Sequence, residues 1–169
     1  MSTQDIQPAT PRKPEILAPA GDTPSFLAAL AAGADAVYLG LKHFSARMQA
    51  ENFGLTELSR LTDLAHAENA RVYVAMNTLV KPGENAAAYR LAARLARQVR
   101  PDGLIIQDLA MLDLARQAGF EGGLFLSTLA NLTHPEALTQ AKALGANRVI
   151  LPRELSIDEI RRMGEACPE

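Results

Sequence analysis

The stretch from Pro14 to Pro24 constrains the fold most, because it reads as one complete β-to-α unit. An apolar run ends in a tight Pro-Ala-Gly loop, and Asp22 or Thr23 then stands where a helix N-cap belongs, with Pro24 in the first turn. After the helix, a second apolar run begins at residues 36–41. The stretch therefore predicts a strand, a loop and a helix that lead directly into another strand.

The same unit recurs along the chain. Further apolar strands are predicted at residues 36–41, 71–78, 103–108, 123–128 and 148–152. Helices are predicted between them, near 56–69, 84–99, 109–118 and 133–145, and after the last strand from 156 to about 167. Capping-box spacing marks the starts of the last two helices, at Thr133–Glu136 and Ser156–Glu159. Six such units in series predict a parallel sheet covered by helices.

Two closures of such a sheet are compatible with this alternation, an open doubly wound sheet and a (β/α)₈ barrel. A complete barrel needs about 250 residues, whereas this chain has 169. The first loop lacks a Gly-x-Gly-x-x-Gly fingerprint, and no Gly-Lys-Ser/Thr P-loop occurs. We therefore predict an α/β, TIM-barrel-like (β/α) repeat over residues 14–169, with about six of the eight units present. Residues 1–13 are predicted to form a disordered leader.

Charge and cysteine content exclude several classes of protein. A net charge of -2 gives no basic field for a phosphate backbone, so any affinity for nucleic acid requires a local patch or another domain. The single cysteine, Cys167, cannot form an internal disulfide or supply a zinc or iron–sulfur site alone. No apolar run approaches the roughly 20 residues of a membrane span, and no secretory signal pattern is present. The expected compartment is the cytoplasm.

Polar side chains follow the carboxyl end of every predicted strand, where helix N-termini and loop amides converge in βα folds. Asp108 and Glu154 are the candidate catalytic carboxylates. The candidate substrate-binding residues are His43, Arg47, Asn77, Gln107, Ser127, Asn131 and Arg153. Together they are expected to form a polar cup over an apolar barrel, suited to a small polar substrate or an extruded base.

Several of these residues also have a structural explanation. Asp108 can cap the next helix, and Asn77 can satisfy loop amides. Arg153 and Glu154 can form an exposed ion pair worth about 0 to 1 kcal/mol. The histidines show neither the spacing nor the clustering of metal ligands, and no Ser-His-Asp or Cys-His arrangement follows from spacing. Both interpretations of these residues stay open at this point, and no metal site is predicted.

Several motifs stand in a fixed order along the chain. They are PEILAPAG at 14–21, GADAVYLG at 33–40, FSAR at 44–47, NF at 52–53, IQD at 106–108 and LPRELS at 151–156. Together they resemble the N-terminal part of peptidase family U32, the collagenase-like proteases. The resemblance covers nearly everything from Pro14 onward. It implies that residues 14–169 are the N-terminal part of a TIM-barrel-like catalytic domain.

The resemblance implies two competing activities. One is proteolysis, including collagen degradation. The other is oxygen-independent hydroxylation of tRNA, rRNA or the ubiquinone ring, which uses an iron–sulfur cluster and, for the RNA enzymes, prephenate. The cluster cysteines of the family lie downstream of this sequence, so Cys167 is not assigned as a ligand. This segment alone is expected to be inactive.

The residues favour hydroxylation over proteolysis, because neither an activated nucleophile nor a set of metal ligands is visible. Arginines in the cup would instead clamp an anionic co-substrate such as prephenate. One position departs from the family pattern: Leu129 stands where members commonly have glutamine in Ser-Thr-Gln-x-Asn. A third interpretation is a non-catalytic partial barrel, a binding or assembly module that self-associates through its open strand edges.

Overall fold

A computed structural model describes residues 13–46 and 53–167, which form six parallel strands alternating with six α-helices. The strands are β1 (Leu17–Ala20), β2 (Ala36–Gly40), β3 (Arg71–Met76), β4 (Gly103–Ile106), β5 (Gly123–Leu126) and β6 (Arg148–Val149). The helices are α1 (Thr23–Ala31), α2 (Leu55–Ala67), α3 (Asn85–Arg94), α4 (Ala110–Gln117), α5 (Pro135–Ala143) and α6 (Ile157–Ala166). The predicted leader lies outside the described residues, apart from Lys13.

The order of the strands distinguishes the two predicted closures. Each strand pairs with the next one in the chain, so the sheet runs from β1 to β6 without a reversal. A doubly wound sheet reverses its strand order at a switch point, and none occurs here. The barrel-type arrangement is confirmed, with β1 and β6 as the two edges of the described sheet. The barrel is therefore incomplete, as predicted.

Alternation along the strands separates two apolar layers, because successive side chains of a strand point to opposite faces. Outward-facing residues such as Val72, Val74 and Leu104 pack against the helices in the larger core. The inward-facing residues Tyr73 and Phe125 belong to a second, smaller cluster inside the sheet. The inner face is therefore separate from the core that holds the helices.

Capping boxes were predicted at the starts of the last two helices, and the structure confirms one of them. The capping box predicted at Ser156 and Glu159 is confirmed at the start of α6. The one predicted at Thr133–Glu136 is wrong: His134 is the N-cap of α5 and forms no side-chain cap bond. Pro135 is the reason, because the residue before a proline is disfavoured in the α region. His134 is accordingly extended, and the helix starts one residue later than a box at Thr133 requires.

Two predicted elements end differently in the structure. The helix predicted over residues 84–99 is α3 followed by a π-helical turn, Leu95–Val99. There the N–H of Arg100 donates to the carbonyl of Leu95 at 2.8 Å, because Arg100 precedes a proline and leaves the helical region with φ of 54°. The last strand spans two residues rather than 148–152. Its only partner in the described sheet, β5, ends at Leu126, so later residues have no strand to pair with.

Three side chains fix the strands at the amino end of the sheet. Asp35, Asp102 and Asn147 each stand directly before an even-numbered strand. Their side-chain oxygens accept, in that order, the backbone N–H groups of Ile16, Val72 and Leu124, each at 2.8 Å. The same side-chain-to-backbone hydrogen bond thus recurs in the β1–β2, β3–β4 and β5–β6 pairs, and it holds the register of each pair.

An ionic and aromatic cluster fills the interior at the same end, and we call Glu15, Tyr73, Phe125 and Arg148 the N-terminal plug. The Glu15 carboxylate accepts hydrogen bonds from the Tyr73 hydroxyl at 2.6 Å and from Arg148 at 2.8 Å. The Arg148 guanidinium lies 4.6 Å from the centre of the Phe125 ring, which meets Tyr73 edge to face at 4.9 Å. The plug therefore joins the beginning of the first strand to the third, fifth and sixth strands.

Candidate functional site

A cavity of about 380 Å³ opens at the carboxyl ends of the strands, above the N-terminal plug. We call it the central cavity, and its volume lies within the range of small-molecule sites. Its polar lining consists of Tyr38, Ser45, Asn77, Ser127 and Thr128. The larger apolar residues of the lining are Leu17, Leu39, Ile105 and Ile150. Apolar walls with a few hydroxyl and amide groups are typical of a binding site for a neutral ligand.

The cavity exists because small residues follow large ones along the inner face. On β3, Tyr73 belongs to the plug and the next inward residue is Ala75, which lines the cavity. After β5, Phe125 is likewise followed by Ser127. The alternation of strands thus stacks the cavity directly on the plug, and the change from aromatic to small side chains leaves space for a ligand.

Two of the predicted substrate-binding residues line the central cavity. The Asn77 side-chain oxygen accepts a hydrogen bond from the N–H of Ala46 at 3.0 Å, which ties the loop after β2 to the end of β3. Ser127 is buried, and its hydroxyl oxygen accepts from the N–H of Leu129 at 3.2 Å. That bond caps a short 3₁₀ turn, Thr128–Ala130. Both side chains are therefore held in place at the wall.

Asp108 lies beside the site and is held by backbone groups. One carboxylate oxygen accepts from the N–H of Val80 at 3.0 Å, and the other accepts from the N–H of Ala110 at 3.0 Å. These bonds connect the loop after β3 to the start of α4, whose N-cap is Leu109 and has no side-chain cap bond, so Asp108 fixes the loop without being the predicted N-cap. The catalytic role of Asp108 stays a prediction, and the residue does not line the central cavity.

The remaining predicted residues are not brought to the cavity wall. Gln107 is half-buried after β4, and Asn131 is exposed at the end of the 3₁₀ turn. Arg153 and Glu154 are exposed in the turn before α6, and the described residues show no ion pair between them. Substrate binding or catalysis by these four residues stays a prediction.

His43 and Arg47 complete the predicted set. His43 lies in a different cleft, of about 260 Å³, whose lining also includes Lys42 and Arg94. Arg47 lies outside the described residues. The predicted cup thus contains Asn77 and Ser127 within the part of the chain that the structure describes.

Three polar residues of the lining, Tyr38, Ser45 and Thr128, are not among the predicted substrate-binding residues. Tyr38 carried a usable signal, because it alternates with Ala36 and Gly40 on the inward face of β2. Thr128 stood at the end of a predicted strand beside Ser127, whereas Ser45 carried little signal because it belongs to a loop whose course the sequence does not fix. Tyr38 was not predicted because the candidates were polar residues at the ends of strands, whereas Tyr38 lies in the middle of β2.

Electrostatics separate the cavity from the plug beneath it. The described lining contains no aspartate, glutamate, histidine, lysine or arginine. Below it, burial raises the pKa of Tyr73, and the hydrogen bond to Glu15 raises it further. The phenol therefore stays protonated at neutral pH and donates to Glu15. The lining formed by the described residues is neutral, and the charge lies in the layer underneath.

The described residues offer no site for a metal or an iron–sulfur cluster. They contain no group of three or more histidine, cysteine, aspartate or glutamate residues placed to hold a metal ion. Cys167, the single cysteine of the chain, borders a groove between α5, β6 and α6. A cluster needs several thiolates, so this chain does not fit one. Across residues 13–46 and 53–167, no helix has the length and apolar character to cross a membrane.

Nearly the whole chain is similar in sequence to part of each of three longer proteins. A tRNA hydroxylation protein P of Haemophilus influenzae is 33% identical over 157 residues, which are 93% of this chain and 34% of that protein. A collagenase of Porphyromonas gingivalis is 32% identical over 152 residues, 89% of this chain and 36% of the collagenase. A 23S rRNA 5-hydroxycytidine synthase of Escherichia coli is 35% identical over 152 residues, 90% of this chain and 22% of the synthase. The chain therefore spans about a third or less of their length.

A solved structure and a family model agree with these matches. The structure of a U32 peptidase aligns with a TM-score of 0.72 at 14% identity, covering 97% of this chain and 70% of the other, which shows the shared fold. Residues 21–169 match the model of Peptidase family U32. The match includes all six helices and every strand except β1. The resemblance inferred from the motifs is thereby confirmed, and the chain belongs to peptidase family U32.

Proposed function

We propose that this chain is part of an oxygen-independent hydroxylase that modifies RNA or the ubiquinone ring in the cytoplasm, with the ring bound in the central cavity. The neutral lining of that cavity carries the proposal. Its hydroxyl and amide groups match a planar ring with hydrogen-bonding edges, and its apolar walls match the ring faces. The names of the Haemophilus and Escherichia relatives support hydroxylation as the reaction.

The residues of the cavity divide into walls and hydrogen-bonding groups. Leu17 on β1 and Ile150 directly after β6 form apolar surface at the two edges of the described sheet. Asn77 and Ser127, each held by a backbone bond, offer an amide and a hydroxyl toward the ligand. On this proposal they orient the ring and exclude water from it. Asp108 keeps the adjoining loop in place.

The cofactors of the proposed reaction require residues other than those that line the central cavity. An iron–sulfur cluster supplies one-electron chemistry when bound, and on this proposal its thiolates lie outside the 169-residue sequence, which has one cysteine. Prephenate remains the proposed co-substrate. Its carboxylates need a cation, and the predicted arginines are Arg153, exposed on its turn, and Arg47, outside the described residues.

A collagenase-like peptidase is the second candidate, supported by the Porphyromonas relative. Peptide hydrolysis by a serine requires a neighbouring base. Ser127 has no histidine beside it in the described lining, and its hydroxyl oxygen caps the turn at Leu129. The geometry thus favours the hydroxylase.

The test is made in the native host with the complete gene product. The gene is deleted, and hydroxylated nucleosides in tRNA and rRNA, together with ubiquinone, are quantified by mass spectrometry. We expect one hydroxylated species to disappear and to return with the wild-type gene. Asn77→Ala should restore less than a tenth of it, whereas Leu144→Ala, at an exposed leucine after α5, should restore it fully.

Two other outcomes decide between the candidates. Unchanged nucleosides and quinones in the deletion strain would overturn the hydroxylase. If the purified complete protein then cleaved gelatin, the peptidase would replace it. If neither activity appeared, the non-catalytic binding module would be left.

A further inference from the structure

One carboxylate of the N-terminal plug, that of Glu15, connects the two edges of the described sheet. Glu15 stands just before β1, one edge of the described sheet, and Arg148 begins β6, the other edge. Their side chains meet at 2.8 Å across the interior. β1 pairs with β2 and β6 pairs with β5, so this ion pair links the two edge strands directly.

The same two edges of the described sheet contribute residues to the lining of the central cavity. The next inward residue after Glu15 is Leu17, and the next after Arg148 is Ile150, because inward residues recur every second position. Both Leu17 and Ile150 line the cavity. The separation of the two edges at the plug therefore also sets the separation of Leu17 and Ile150, the next inward residues.

We propose that Glu15 is a positioning residue that holds the two edge strands at the separation that shapes the central cavity. The role belongs to the fold and does not depend on which substrate the cavity receives. It acts through Arg148, whose guanidinium is in turn fixed against the ring faces of Phe125 and Tyr73, at 4.6 and 5.6 Å.

The surroundings of Glu15 keep this contact closed at neutral pH. The groups that face the carboxylate are Arg148 on β6 and Tyr73 and Arg71 on β3, with Arg71 at 3.3 Å. Burial raises the pKa of Glu15, but hydrogen bonds from Tyr73 and Arg148 and the charges of both arginines outweigh it. The pKa ends below its usual range. Protonation at low pH removes the charge that holds Arg148.

The experiment compares Glu15→Gln with Asp63→Asn. Both convert a carboxylate to an amide, but Asp63 pairs with Arg100 on the exposed surface at 3.4 Å. Amide hydrogen exchange is followed at Asn147 and Ile150, whose N–H groups donate to the carbonyls of Leu124 and Leu126 across β5 and β6. We expect Glu15→Gln to lower protection at these two amides at least tenfold while the amides of α2 keep theirs. Asp63→Asn should change neither.

A distance measurement tests the same point directly. Spin labels are placed at Leu27 on α1 and Leu144 after α5, both exposed, in a Cys167→Ser background. In Glu15→Gln the distance distribution should broaden or lengthen by about 5 Å, roughly one strand spacing. Protection of the β6 amides in the wild type should also fall toward the Glu15→Gln value as the pH is lowered, whereas the variant should show no such step.

Unchanged exchange and distances in Glu15→Gln would overturn the proposal. So would an equal loss of protection in every element, because that result shows general destabilisation without positioning. If Glu15→Gln fails to fold, Tyr73→Phe removes one hydrogen bond of the carboxylate and leaves the ion pair. It is then measured in the same way, and selective loss at β6 supports the proposal while uniform or absent loss contradicts it.

Discussion

The polar side chains at the two ends of the sheet have different surroundings. At the amino end, Glu15, Asp35, Asp102 and Asn147 all bond to other parts of the protein, either to an arginine and a tyrosine or to backbone N–H groups. At the carboxyl end, hydroxyl and amide groups line a cavity of about 380 Å³, and Asn77 and Ser127 among them also accept from backbone N–H groups. One end therefore serves stability and the other is available to a ligand, as in barrels generally.

Side-chain size follows the same division. Phe125 in the plug lies so close to β4 that a Cβ added to Gly103 would come within 2.6 Å of its ring. Two residues beyond Phe125, the inward side chain is that of Ser127. The amino end is thus filled to the point of requiring glycine, and the carboxyl end keeps free volume. Substitutions at the two ends should therefore differ in their effects on stability.

The largest effect is expected for Phe125→Ala. The ring is buried between Tyr73 and Arg148, and its loss leaves a void inside the sheet. Unfolding in urea should show a loss of about 3–5 kcal/mol. Leu129→Ala, with 43% of the leucine exposed, is the control and should stay within about 0.5 kcal/mol. Equal losses in the two variants would contradict the division between the ends.

Glu15→Gln is expected to cost about 2 kcal/mol at neutral pH, since hydrogen bonds to a charged group are lost. Because the pKa of Glu15 is lowered by folding, its stabilisation is complete above the unfolded value of about 4.3 and is lost as the pH falls through the folded value. Urea unfolding of wild type and variant from neutral to acid pH should converge. A difference that grows toward acid pH would show that the sign is wrong.

Asp108→Asn tests whether this carboxylate only fixes the loop before α4 or also takes part in catalysis. One of its two backbone hydrogen bonds loses its acceptor, so unfolding should become easier by about 1 kcal/mol. If Asp108 only fixes the loop, the substitution should leave the hydroxylated product of the complete protein within about tenfold of wild type. A loss beyond a thousandfold with normal stability would establish chemistry at Asp108.

Ser127→Ala should have the smallest effect on stability, about 0.5–1 kcal/mol, because it removes the cap of one short turn. Its effect on function should be the larger one, a loss of at least tenfold in product formed by the complete protein. The matched variant Ser59→Ala removes a hydroxyl that donates to the carbonyl of Gln98 on the outer helices, far along the chain from the cavity. It should leave product formation unchanged, and a comparable loss there would remove the special role of Ser127.

Local signals predicted the repeated units well because strand and helix boundaries depend on neighbouring residues. Asp22 forms the expected N-cap of α1, and Ser156 forms the expected box at α6. The errors had local causes too. Pro135 moved the start of α5, and the break before Pro101 turned the end of a long helix into a π-helical turn. Pro101 was recognised as the end of the long helix, but the π-helical turn before it has no sequence signal of its own, and capping-box spacing at Thr133 takes no account of Pro135.

The candidate site was predicted only in part, since its composition depends on which side chains point inward. Asn77 and Ser127 were identified from their positions at strand ends. Tyr38 was missed because a strand position was taken as core, and Gln107 was included although it does not reach the cavity wall. A shift of one residue along a strand reverses the face, so position at a strand end does not by itself decide what a side chain contacts.

The sequence by itself determined the six βα units, their order, the family and the neutral or charged character of each strand end. These properties follow from local periodicity and from motifs within short segments. Only the tertiary structure decided that Glu15 meets Arg148, 133 residues away along the chain, and that Leu17 and Ile150 share one cavity. The physical reason is the curvature of the sheet, which brings its first and last strands toward each other and which no local stretch of sequence encodes.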